Sequence, residues 1–223
     1  LKPIWLEAFI LWPKVFRRAW PWLIFTSVVA IGFDSVTELL RNLDDKTAVI
    51  IGLCSFIFTL FLEAFSTIII SQIVLDSFEK THRSLNLAVK NNLKPVFIET
   101  TRTILPITFR FLLLIIPGLV EIIRLFFVAY IVQFDPAYKE GKVDALERSR
   151  AMVRGRFWSV SFWIILTTLL ALAPSFLRKN FSLIHSPGFY FLFILVGMAV
   201  EGYVDTLIYL LYVQLSNQPN TAP

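Results

Sequence analysis

The chain has 223 residues, of which 57% are hydrophobic, 15% aromatic and only 17% charged, with a mean hydropathy of +0.70. A water-soluble domain carries more charge than this on its surface, so the composition excludes an ordinary soluble enzyme and makes a bilayer the expected solvent. The net charge of +5 and pI near 9.4 do not point to nucleic acid, because the basic residues cluster beside apolar blocks, where anionic lipid headgroups account for them better.

The expected fold is an all-α integral membrane bundle of about six helices, one polytopic domain over 1–215 with a short disordered tail at 216–223. An amphipathic stretch from Trp5 to Ala19 leads into the first apolar block, 20–40, which holds Asp34 and Glu38. The second block, 47–75, holds Glu63 and the lone Cys54, expected to be a buried structural thiol. A second amphipathic stretch, Leu85 to Pro95, precedes the block at 96–116 with Glu99, Arg102 and Arg110. The block at 119–134, with Glu121 and Arg124, is sixteen residues long and rises about 24 Å, short for a full crossing. Pro117-Gly118 between these two predicts a helical hairpin of helices 3 and 4, spanning or re-entrant. A third amphipathic stretch, Val143 to Arg156, enters the block at 157–177, and the last block, 189–213, holds Glu201 and Asp205.

With the N-terminus cytoplasmic, fourteen Lys and Arg fall in cytoplasmic segments and four, Arg41, Lys46, Arg178 and Lys179, on the other side. Both termini are therefore expected in the cytoplasm, with no signal sequence before the first block. Arg17-Arg18-Ala19-Trp20 and Arg154-Gly155-Arg156-Phe157-Trp158 share a layout of basic residues before an aromatic entry, a candidate degenerate repeat. Arg17, Arg18, Arg148, Arg150, Arg154 and Arg156 are the expected lipid-headgroup residues.

Ten ionisable residues lie inside the blocks, where each costs about 2.5 to 3.5 kcal/mol on insertion scales and so faces protein or water. Depth sorts them into two groups. Glu63, Glu99, Arg102, Glu201 and Asp205 form an expected inner polar cluster; Asp34, Glu38, Arg110, Glu121 and Arg124 form an outer, nearly balanced group of structural ion pairs, with Arg124 three residues after Glu121 as its partner.

Pro117-Gly118 followed by Arg124, Asp135, Ala145-Leu146-Glu147-Arg148-Ser149 and Val153-Arg154-Gly155-Arg156-Phe157-Trp158 resembles the YciC-like family of bacterial inner-membrane proteins. The same pattern occurs in the membrane domain attached to some glycerophosphodiester phosphodiesterases. The resemblance covers 88–160 by residues and the flanking helices by layout. It implies a six-helix bacterial inner-membrane domain without established chemistry. Asp135 stands where the family's usual acidic residue follows the fourth helix, a departure that leaves its role open, and the phosphodiesterase activity does not carry over.

No Gly-x-Ser-x-Gly elbow, His-Glu-x-x-His, phosphate loop or paired cysteine set occurs, and two histidines exclude a His-rich metal site. No catalytic residue, cofactor or metal is therefore expected. Two functions stay open. One is a non-enzymatic protein that organises or binds lipid, or a membrane partner complex, through its basic interfacial helices. The alternative is a small oligomeric transporter using the inner acidic cluster.

Overall fold

The computed structural model describes residues 4–40, 45–81, 83–178 and 187–217. Within its helices the side chains of Asp34, Glu38 and Glu63 lie outside the described residues. Among the described residues the chain is all helical. It comprises α1 (Ile4–Leu40), α2 (Asp45–Glu79), α3 (Leu85–Leu113), α4 (Ile115–Leu125), α5 (Val128–Phe134), α6 (Pro136–Lys139), α7 (Ala145–Val153), α8 (Phe157–Arg178) and α9 (Pro187–Ser216).

The amphipathic stretches at 5–19 and 85–95 are not separate helices but the first turns of α1 and α3, whereas Val143 to Arg156 contains a short helix of its own, α7. The block at 119–134 is divided instead of continuous: residues 126–127 form a turn, and Phe127 leaves the helical region with φ −91° and ψ 5°.

The chain folds back between α3 and α4 at Leu114, not at Pro117-Gly118. Leu114 is extended, with φ −164° and ψ 146°, and Pro117 and Gly118 both lie inside α4. The proline still sets the break. In a continuous helix its ring would meet the carbonyl of Leu113, four residues earlier, and its missing N–H could not bond there, so α3 stops at that residue. Inside the first turn of α4 the missing N–H costs nothing. Gly118 lets the two helices close, since a Cβ there would lie 2.5 Å from the ring of Phe111.

The buried core comes from one half of each long helix. It takes Val15, Ala19 and Leu23 from α1, Ile68 to Val74 from α2, Leu207 to Leu215 from α9, and residues of α5 and α7. Phe127 and Tyr130 pack on Tyr212, and Phe134 packs edge-on to Tyr209 at 5.4 Å between ring centroids. The other halves of α1, α2, α8 and α9 expose large apolar side chains, among them Val28, Ile50, Phe176 and Leu195. Exposed apolar surface of this extent marks contact with lipid or protein. Cys54 lies on that surface of α2, exposed instead of buried, because the core is confined to the opposite half of the helix. Among the described residues, three helical runs, Ile115–Phe134, Phe157–Pro174 and Leu192–Ser216, are long and apolar enough to cross a membrane.

Candidate interfacial site

The polar side chains gather around α7 and the base of α4. Asp144 starts α7 as its N-cap: its Oδ1 accepts from the backbone N–H of Leu146 at 2.9 Å and of Glu147 at 3.2 Å, satisfying donors that the first turn leaves free. Its Oδ2 accepts from Arg102 at 3.0 Å, and Arg102 also donates to both oxygens of Glu99. Tyr138 donates to Glu99 from the other side at 3.3 Å. Burial pushes the Asp144 carboxyl up, but the two N–H donors and the Arg102 guanidinium outweigh it and hold the group below its ordinary value. Burial, then the Glu99 carboxylate, holds the Tyr138 phenol above its own.

Glu121 is the most enclosed carboxylate of this region, with no solvent exposure. Arg150 grips its Oε1 through Nε at 2.9 Å and Nη2 at 2.6 Å, and Nη1 of Arg110 lies 2.9 Å from Oε2, close enough for charge pairing but not aligned for a hydrogen bond. Arg148 donates to Asp135, which also N-caps α6 by accepting from Ala137. Ser149 donates to the Arg124 carbonyl at 2.7 Å. Three consecutive residues of α7, Arg148, Ser149 and Arg150, therefore fasten it to α4, α5 and the start of α6.

A second enclosed carboxylate, Asp76 near the end of α2, accepts from Arg18 at 2.8 Å, from Gln72 at 3.0 Å and from the backbone N–H of Arg83 at 3.1 Å. This ties α1 to the link between α2 and α3.

These contacts revise the expected site. Arg124 is exposed and makes no ion pair among the described residues; the partners of Glu121 are Arg110, which was expected in its group, and Arg150, which was not. The i, i+3 spacing of Glu121 and Arg124 is met, but α7 occupies the face that Glu121 turns inward. The depth grouping fails for the same reason, since Arg150 belongs to a stretch assigned to the cytoplasmic side and Glu121 to the outer one. Asp34 and Glu38 lie outside the described side chains.

Of the expected inner cluster, Glu99 and Arg102 are joined to each other. Glu99 and Arg102 are engaged with Asp144 and Tyr138, while Glu201 and Asp205 are on α9, which packs with α1, α8 and α2. Glu63 lies outside the described side chains. Among the described residues no group of His, Cys, Asp and Glu could hold a metal ion.

Of the six arginines expected at headgroups, Arg18, Arg148 and Arg150 are instead held by Asp76, Asp135 and Glu121. A guanidinium beside an enclosed carboxylate gains a short charge-assisted bond that a hydrated headgroup does not offer. Arg17, Arg154 and Arg156 have no ion pair among the described residues. Arg17 and Arg154 are exposed and Arg156 is half-buried. Trp20 and Trp158 stand beside them, exposed by 49% and 83%. Gly155, at φ +80°, makes the turn that separates Arg154 from Arg156 and sends α8 off from α7; a side chain there would be strained.

The described residues define an all-helical protein with helices apt for a membrane and a polar layer beside them. No family model, curated protein or solved structure matches the chain.

Proposed function

We propose that the chain is a non-enzymatic, multi-pass protein of a bacterial inner membrane, with both termini cytoplasmic, that binds anionic lipid headgroups through its basic interfacial segments and so organises lipid or a membrane partner complex. The observation that carries this is the pairing of unengaged arginines with exposed tryptophans at two helix entries, Arg17 with Trp20 and Arg154 and Arg156 with Trp158. Long basic side chains reach phosphates while tryptophan rings settle at the headgroup level. The neighbouring arginines that are occupied by carboxylates hold this surface in shape. Membership of the YciC-like family belongs to the same proposal and rests on the sequence pattern at 88–160.

The test is the retention of phosphatidylglycerol by the protein extracted in mild detergent, read by native mass spectrometry. Replacing Arg17, Arg154 and Arg156 with Gln weakens retention by about 1 kcal/mol per charge. Retention equal to that of the parent would sink the proposal.

A further inference from the structure

We propose that the tip where α3 turns into α4, around Leu114, is a wedge that inserts among the acyl chains of a single leaflet and does not cross the bilayer. It deepens the interfacial reading above and rests on it. The tip is apolar on every side: Leu112, Leu114 and Ile116 are 80%, 67% and 74% exposed, with no polar side chain between Phe111 and Val120. In water such a tip is costly, and it is too short to span.

Its depth is fixed by what stands at its base. Arg110 and Arg150 close on Glu121, and Arg150 belongs to α7, which exposes Glu147 and leads directly to the exposed Arg154. A helix with those exposed charges lies at the polar boundary of a membrane and not in hydrocarbon. From Leu114 to Glu121 is seven residues, a rise of about 10 Å, against a hydrocarbon thickness of about 30 Å. The tip therefore ends within the leaflet whose headgroups α7 meets.

Length and apolarity alone would let the run Ile115–Phe134 cross a membrane. Its attachments argue otherwise. α7 is fastened to it at Glu121 and at the Arg124 carbonyl, and to Asp135 just beyond it, and the run turns at residues 126–127. A polar helix held along most of a segment keeps that segment out of the hydrocarbon. Acyl chains are the occupant that fits, because the unengaged Arg154 and Arg156 beside the same helix provide for the phosphates of the lipids whose chains would surround the tip.

The experiment places a single thiol at Leu114, as Leu114→Cys in a Cys54→Ser background, with Leu112→Cys as a second position if the first disturbs folding. The protein is labelled with an environment-sensitive fluorophore and reconstituted into vesicles of phosphatidylcholine, with and without phosphatidylglycerol. The vesicles carry lipids bearing a nitroxide either near the carbonyls or at the chain terminus. The expected result is stronger quenching by the chain-terminal nitroxide in both vesicle types, because a tip about 10 Å below the boundary of a layer about 30 Å thick lies nearer its midplane than its carbonyls, together with loss of labelling of the unmodified thiol by a membrane-impermeant maleimide. Maleimide labelling would overturn the wedge, as would stronger quenching by the shallow nitroxide, which would put the tip at a headgroup boundary. A thiol protected from maleimide but unquenched by either lipid would also overturn it, because protein, such as a second copy of the chain, would then cover the tip. The headgroup reading fails separately: phosphatidylglycerol retention indifferent to the arginines, with terminal quenching intact, sinks that reading and leaves the tip's depth as proposed.

Discussion

Glu121 shows how an enclosed charge constrains its surroundings unequally. Its carboxylate has no exposure, while Arg110 and Arg150 keep 36% and 34% of their side-chain surface in solvent. Removing both arginines as Arg110→Met with Arg150→Met leaves a carboxylate unpaired away from water and costs about 3 to 5 kcal/mol. Glu121→Leu releases two guanidiniums that can turn outward and costs no more than about 1 kcal/mol, as for an exposed pair. Arg124→Leu has a small effect, since that side chain is exposed. Unfolding in detergent ranks the variants, and a Glu121→Leu protein as unstable as the double arginine variant would refute the asymmetry. Asp144 gives a pH-dependent counterpart. Its folded value lies below its unfolded one, so its stabilising contribution is complete above the unfolded value of about 4 and is lost as pH falls through the folded value. The pH dependence of unfolding on the acid side of pH 5 should be shallower in Asp144→Asn than in the parent, and identical slopes would remove Asp144 from the account. At this scale the sequence could pair only those charges that lie close along one helix. Arg150 lies 29 residues from Glu121, and no local spacing announces such a contact.

The helices themselves were largely legible, because apolar block length and helix length follow the same rise per residue. The junctions were not. Pro117 reads as a breaker at its own position, yet a proline excludes helix over the turn before it, which moves the break to Leu114. The turn at Phe127 carries no proline or glycine at all, and its cause is tertiary: the ring is fully buried beside Tyr212. The α2 terminus offers a clean test of junction energetics. Lys80 adopts φ 57° while the N–H of Thr81 bonds back to the Asp76 carbonyl at 3.0 Å, a left-handed end that favours glycine. Lys80→Gly should raise stability by about 1 kcal/mol in a denaturant melt, and a loss of stability would show that the lysine side chain makes a compensating contact. At the α3 and α4 contact, Gly118→Ala forces the Phe111 ring aside and should cost about 1 to 3 kcal/mol. Gly118→Ala combined with Phe111→Ala should recover part of that loss, and no recovery would mean that the close approach is not the cause.

Across the whole molecule, one half of the bundle is a packed layer fastened by arginine and carboxylate pairs, and the other half exposes apolar helix surface. The membrane reading follows from composition and from the runs that, among the described residues, are long and apolar enough to cross. Which side the layer occupies rests on the distribution of Lys and Arg, whose excess lies in the segments that build this layer and the ends of its helices. The proposed function requires that this layer face the cytoplasm with its basic residues at the inner headgroups. Single cysteines in a Cys54→Ser background, probed with a membrane-impermeant maleimide in intact cells whose outer barrier has been opened, test it directly. Reporters within 41–46 and 179–188 are expected to label at once, and Lys142→Cys only after the inner membrane is permeabilised. Labelling of Lys142→Cys from outside the intact inner membrane would contradict it.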